Sequence, residues 1–332
     1  MSGTEWRPSI PGGPDDPAEP AVERRRRTGG KPRTMATGPG PHAPARETFD
    51  PALKHFAEAY RPLDPVIPDE RVREAWLRAR RAAMEVALRA VGASGWADSL
   101  VLRGSMLMRH WFGPAAREPH DLDFVVVPAD WRIEEERTGR MLDAVAAAAG
   151  ELAGELAGGL DMPSEQAVSE YIWTYERVPG RRLVLPWAAP GLPGGQVQLD
   201  FVFNEPLPAP PEPVEVAGVP LLGAGRELSL AWKLMWLAGD MYPQGKDLYD
   251  AVLLAEDLVL PYPLLEEVFR QSGEWDCGEG VHEPPVLEVF DGFRGTDWST
   301  FEQEYPGIDT SGDRYARRLL ELLAPTFEEA AR

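Results

Sequence analysis

Leu102-Arg103-Gly104-Ser105-Met106-Leu107-Met108-Arg109, followed at a short distance by Asp121-Leu122-Asp123-Phe124-Val125-Val126-Val127, decides the fold. The second run begins with acids at alternate positions and becomes wholly apolar, the pattern of a strand whose far end is buried on both faces. Side chains alternate across a strand, so Asp121 and Asp123 share one face. Two carboxylates held that close call for a cation. Hard oxygen ligands suit Mg²⁺, which keeps several waters and phosphate oxygens around one or two carboxylates. The Gly-Ser turn supplies the complementary half. Gly104 permits close backbone approach, Ser105 offers a hydroxyl, and the helix beginning there points unpaired amides at an anion.

Each piece alone has a plainer reading. A Gly-Ser pair is commonly a turn, and an acid-x-acid triplet is commonly a strand entry or a cap. Their order and spacing carry the argument. Together with Arg117, and with Leu230-Ala231-Trp232-Lys233-Leu234 and Lys246-Asp247-Leu248-Tyr249-Asp250 further on, they resemble the AbiEii/AbiGii nucleotidyltransferase toxins of type IV toxin–antitoxin systems. That family lies within the DNA polymerase beta-like nucleotidyltransferase superfamily, and the likeness runs from about Leu100 to Asp257. Two departures stand out: His120 precedes the acid pair, and Tyr242-Pro243-Gln244-Gly245 replaces a stretch where an arginine is common.

The resemblance implies an α+β fold, with a mixed sheet flanked by helices and a C-terminal helical domain that completes the site. It implies a Mg²⁺-dependent transfer of a nucleoside monophosphate from a nucleoside triphosphate to an acceptor hydroxyl, with two Mg²⁺ ions as cofactors. Asp121, Asp123 and Asp200 would be the catalytic, metal-binding acids, and Gly104, Ser105, Lys233 and Asp247 the nucleotide-binding residues. The acceptor implied is the 3′ end of tRNA, and the partner a cognate antitoxin; a role in phage defence is the related expectation. A small-molecule or protein acceptor, and a catalytically silent binding module, are the other readings.

Pattern places Asp200 on a polar strand face, and the resemblance assigns it the role of third acid. In Gln196-Val197-Gln198-Leu199-Asp200-Phe201-Val202-Phe203 the odd positions are apolar, so Asp200 shares the opposite face with two glutamines. On pattern alone that face is as readily solvated as functional. Lys233 sits in a helix that is apolar on nearly every side, where an unpartnered lysine is almost never buried; a triphosphate would partner it, and a lysine snorkelling to the surface or paired with Asp240 is the plainer reading. Asp247 and Asp250 open the next helix, where one of them would cap it.

Composition bounds the class. The 332 residues are 43% hydrophobic with a mean hydropathy of −0.32, ordinary for a globular chain, and no apolar run approaches the ~20 residues of a membrane span. A net charge of −20 and a pI near 4.7 oppose broad nucleic-acid binding. The one local basic face is the helix expected from Asp69 to Val91, carrying Arg71, Arg73, Arg78, Arg80, Arg81 and Arg89; a solvated face is its plainer reading. The lone Cys277 excludes an internal disulfide and suits a reducing cytoplasm. Paired with His282 it would lie in a Gly- and Glu-rich loop without a third, orienting group.

Residues 1–47 are rich in Pro and Gly, carry Arg24 to Arg27 and show no hydrophobic period, which predicts disorder. No apolar segment of a secretory signal follows the basic run. Met35 offers an alternative start that would leave residues 1–34 outside the native chain. A nucleotidyltransferase domain over 48–220 and a helical domain over 221–332 are expected. Helices are predicted from Asp50, over 105–112, 134–156, 226–238, 246–255, 262–271, 298–304 and 313–323. Strands are predicted over 99–102, 121–127, 168–176, 182–185 and 196–203, with the chain helical beyond Val216.

Overall fold

The structure is a computed structural model that describes residues 30–35, 45–54, 56, 58–155, 159–174, 178–240, 242–272, 285–287, 290, 296–308 and 311–330. Cys277 and His282 lie outside the described residues, as does most of the N-terminal tail.

The helix-capping signal at Asp69 is realised: its carboxylate accepts from the amides of Arg71 and Val72 and starts α1, Glu70–Ala93. The buried stripe of α1 includes Trp76, Ala83, Met84, Ala87 and Val91, at helical spacing. The strand β3 (Leu100–Arg103) is wholly buried and leads through Gly104 into α2, Ser105–Phe112. The strand β4, Asp121–Val126, alternates as read: Leu122 and Phe124 are inaccessible while Asp121 and Asp123 are half-buried. The helix α3, Glu136–Glu155, packs on α1.

Seven strands form one mixed sheet in the order β5-β6-β7-β4-β3-β9-β8. Its members are β5 (Val168–Thr174), β6 (Val178–Trp187), β7 (Gly195–Val202), β8 (Glu212–Val216) and β9 (Val219–Gly223). The pairs β4/β7 and β3/β9 are parallel, and the rest antiparallel. Phe124 and Phe201, neighbours across β4/β7, stack with ring centroids 5.5 Å apart, and each contributes about 1.5–3 kcal/mol by leaving water.

The chain does not turn helical at Val216. β8 and β9 form a hairpin through Ala217 and Gly218, whose φ values of 51° and 76° are those of the tight turn that matches strand twist. Pro213 and Pro220 hide it in the sequence, yet β8 is an edge strand and Pro220 lies outside the two pairs that β9 makes with β3. Helices follow: α4 (Arg226–Gly239), α5 (Gly245–Asp257), α6 (Tyr262–Ser272), α7 (Trp298–Glu304) and α8 (Gly312–Ala330). α8 runs past Leu323 through Pro325, and Phe327 on this added stretch packs against Tyr262 and Phe290.

Two pieces of the stretch expected to be disordered are ordered against the fold. The Thr34 amide donates to the buried Glu170 at 3.0 Å, and β1 (Ala45–Phe49) pairs with β2 (Tyr60–Pro65). Asp50 does act as a cap with Pro51 behind it, but of a single 3-10 turn, Pro51–Leu53, and not of a helix.

Candidate active site

Sheet register brings the acids together. Across the parallel pair, Asp121 lies opposite Gln198 and Asp123 opposite Asp200, so the third carboxylate stands one strand away from the first two on the same face. Gly104, between β3 and α2, has φ +76°, and a Cβ there would come within 2.4 Å of Asp123 Oδ2. Only glycine lets the turn close over that carboxylate. The Ser105 hydroxyl is buried and donates to Asp121 Oδ1 at 3.3 Å, so it orients the carboxylate from behind.

The antiparallel neighbour adds a residue with no local signal. Arg182 of β6 is the register partner of Asp200 and grips it with two bonds, of 2.8 and 2.9 Å, while its third nitrogen reaches Asp50 Oδ2 at 2.6 Å. Asp50 thus caps its turn with Oδ1 and holds Arg182 with Oδ2. Gln198 donates to Asp200 Oδ2 at 3.2 Å. A carboxylate offers about four lone-pair sites, so Oδ1 keeps one acceptor position beyond Arg182.

The helical layer contributes the cations. Lys233 on α4 is buried and donates to Asp247 at 2.7 Å, with Asp250 at 3.2 Å. Asp250 is also gripped by Arg117, whose remaining nitrogen bonds the Tyr305 hydroxyl at 2.9 Å. The expectation that Asp247 or Asp250 caps α5 is not met: Gln244 holds the cap position, and both carboxylates turn inward to these cations. Asp240 is not the partner that Lys233 uses here. Lys246 sits in the first turn of α5, where the helix dipole opposes a cation. Burial works against its charge, yet Asp121 and Asp247 outweigh it and raise its pKa.

A cavity of about 300 Å³ takes in Gly104, Asp121, Asp123, Asp200, Lys233, Lys246 and Asp247. Six of the seven sequence-derived site residues therefore share one wall system, and Ser105 stands directly behind it. Charges within it are unequal. Burial pushes Asp121 up, but Lys246, Arg117 and Arg61 prevail and hold it well below the usual carboxylate range. Burial, then Asp121 and Asp200, lift Asp123 to about 7. Burial also raises Asp200, although Arg182 opposes it. His120, stacked 5.1 Å from the Tyr305 ring, is kept neutral by burial and by Arg80 and Arg61.

Among the described residues no three acids or imidazoles converge closely enough to enclose a metal, since Asp200 is turned toward Arg182. The Asp121–Asp123 pair nevertheless fits a divalent cation of the Mg²⁺ kind, which needs few carboxylates. The raised Asp123 pKa records burial first and then repulsion from Asp121 and Asp200, and a bound cation offsets both.

Arg182, Asp50 and Lys246 are the candidates that local sequence does not place in the site, Asp50 reading there only as a cap. Lys246, a cation at a helix start inside the quoted motif, carried a usable signal. Three of the six arginines on the basic face of α1 are paired with acids: Arg73 with Glu70, Arg80 with Asp64, and Arg81 with Glu118.

Paired acids on adjacent parallel strands, a glycine-serine helix start beside them and lysines across the cavity are the equipment of a nucleotidyltransferase. The sequence model for "Nucleotidyl transferase AbiEii toxin, Type IV TA system" matches residues 86–332, and the chain belongs to that family of nucleotidyltransferase enzymes. Similar solved structures include JHP933 from Helicobacter pylori, with 14% identity, 79% of this chain and 96% of that one covered, and a TM-score of 0.41. MenT4, a nucleotidyltransferase toxin from Mycobacterium tuberculosis, shows 18% identity, 74% and 91% coverage, and a TM-score of 0.42. No curated protein matches the chain. No helix among the described residues is long and apolar enough to cross a membrane.

Proposed function

We propose that this toxin-family enzyme transfers a nucleoside monophosphate from a nucleoside triphosphate to the 3′-terminal hydroxyl of tRNA, with Mg²⁺ as the required ion. The observation that carries the reading is the register pair Asp123 and Asp200 beside Asp121, on the wall of a cavity that Lys233 and Lys246 also line. Asp121 and Asp123 would hold Mg²⁺, with Asp200 as the third acid. The ions, when bound, supply charge neutralisation on the phosphates and align the entering and leaving oxygens.

The chain's own residues do the rest. The acceptor oxygen forms a bond to the α-phosphorus as the bond from that phosphorus to the bridging oxygen breaks, and pyrophosphate leaves. The acceptor proton passes to the open position on Asp200 Oδ1, whose raised pKa suits it to take one. Lys233 and Lys246 face the triphosphate; Asp247 keeps the Lys233 ammonium in place, and Gly104 with Ser105 keeps Asp123 and Asp121 in place. A cognate antitoxin is the partner the family implies, and the cytoplasm, where nucleoside triphosphates and tRNA meet, is the compartment we assign.

A second reading keeps the chemistry and changes the acceptor to a small molecule or protein side chain. The pairing of Arg73, Arg80 and Arg81 with acids, on a chain of net charge −20, favours it. Incubation with tRNA, Mg²⁺ and each labelled nucleoside triphosphate separates the two. Label on RNA that disappears in Asp121→Ala supports the first, label on protein or on a small acceptor supports the second, and full activity in Asp121→Ala refutes both.

A further inference from the structure

Phe49, Tyr60 and Tyr242 are 40%, 43% and 41% exposed, and among the described residues no other Phe, Tyr or Trp is exposed. Single exposed rings are unremarkable on a protein surface. These three, however, come from the end of β1, the start of β2 and the connection between α4 and α5, and they meet. Phe49 lies 5.0 Å from Tyr242 at an interplanar angle of 66°, and 6.5 Å from Tyr60 at 79°. Phe49 and Tyr242 line the cavity that holds Asp121, Asp123 and Lys233.

The cluster is held in place. Phe49 and Tyr60 are register partners in the hairpin, and Phe49 precedes Asp50, which is fixed to Arg182. The Tyr242 amide donates to Asp240 at 3.0 Å. Because the rings meet edge-on and each keeps roughly two-fifths of its surface in water, ring faces remain for a planar guest. Phe49 and Tyr60 also precede residue 86, where the family match begins.

We propose that Phe49 and Tyr242, with Tyr60 packed against Phe49, form the subsite for the nucleobase of the incoming nucleoside triphosphate, with its phosphates reaching the acids and lysines of the same cavity. This rests on the transferase reading above. A nucleoside triphosphate carries a flat base and a polyanion on one molecule, and this cavity offers aromatic rings at one part of its wall and cations at another. Stacking on aromatic rings tolerates any base, since each has a π-face. Phe49 and Tyr242 share the cavity wall with the acids and lysines that the triphosphate would meet, which assigns the rings to the nucleotide.

Titration calorimetry with the full chain in Mg²⁺, using each of the four nucleoside triphosphates and inorganic tripolyphosphate, tests this. Wild-type protein is expected to bind at least one nucleoside triphosphate about tenfold more tightly than tripolyphosphate. Phe49→Ala/Tyr242→Ala should lose that margin while tripolyphosphate affinity holds, and Tyr242→Phe should keep it. Tyr242→Ala alone, at an exposed loop position, serves if the double variant misfolds. Equal wild-type affinity for both ligands overturns the proposal, as does an unchanged margin in the alanine variants. Failure of wild-type protein to bind either ligand would instead defeat the transferase reading itself.

Discussion

Asp123→Asn should make the metal-free protein more stable, and by an amount that depends on pH. The carboxyl of Asp123 is buried between Asp121 and Asp200, and its pKa rises from an ordinary 3.8 to about 7. A group whose folded pKa is raised holds its proton in the folded state after the unfolded chain has released it. Its contribution to stability is therefore harmless below 3.8, turns against folding as pH climbs toward 7, and is constant above. At about 1.4 kcal/mol per tenfold, the full gap sets a ceiling of about 4 kcal/mol. The neutral amide of the variant avoids this penalty. Urea melts in chelator at pH 8 and pH 5 should show the variant ahead at pH 8, with less than half of that advantage left at pH 5. Mg²⁺ at pH 8 should raise the wild-type melting temperature far more than that of the variant, because only the folded wild type presents the carboxylate pair. An advantage of equal size at both pH values, or a variant less stable than wild type at pH 8, would refute the reasoning.

Arg182→Met would leave Asp50 and Asp200 buried without their shared partner, and a loss of about 3–5 kcal/mol is expected in chemical denaturation. Gly104→Ala combines a φ of +76° with a Cβ 2.4 Å from Asp123 Oδ2; the backbone alone costs about 1–3 kcal/mol, and nucleotide labelling should be lost through displacement of Asp123. Tyr305→Phe removes only the hydroxyl that accepts from Arg117. It should cost about 1 kcal/mol of stability and leave labelling measurable.

Local pattern was enough for the parts of the fold whose chemistry is local. Alternation of Asp121 and Asp123 with Leu122 and Phe124 set β4, and Asp69 started α1 where it stood. Lys233 in an apolar helix announced that a partner had to exist, though the pattern could not say that Asp247 and Asp250 already fill that role. What stayed hidden depends on which strand lies beside which. Arg182 becomes significant only once β6 pairs with β7 in register, and Asp50 only once that arginine reaches across to it. The β8–β9 hairpin and the stretch of α8 beyond Leu323 both carry prolines, which edge positions and tertiary contacts tolerate where an isolated segment would not. The aromatic cluster was invisible for the same reason: its members are distant in the chain and none belongs to a motif.

The spacing between Asp123 and Asp200 is written in main-chain hydrogen bonds, since each simply occupies the facing position on two neighbouring parallel strands. Core side chains around them can drift over generations without disturbing that separation. An insertion or deletion of a single residue in either strand is another matter: it would bring Leu199 or Phe201 to the position of Asp200 and turn the carboxylate to the other face of the sheet. The machinery is thus tolerant of spelling changes and intolerant of slippage.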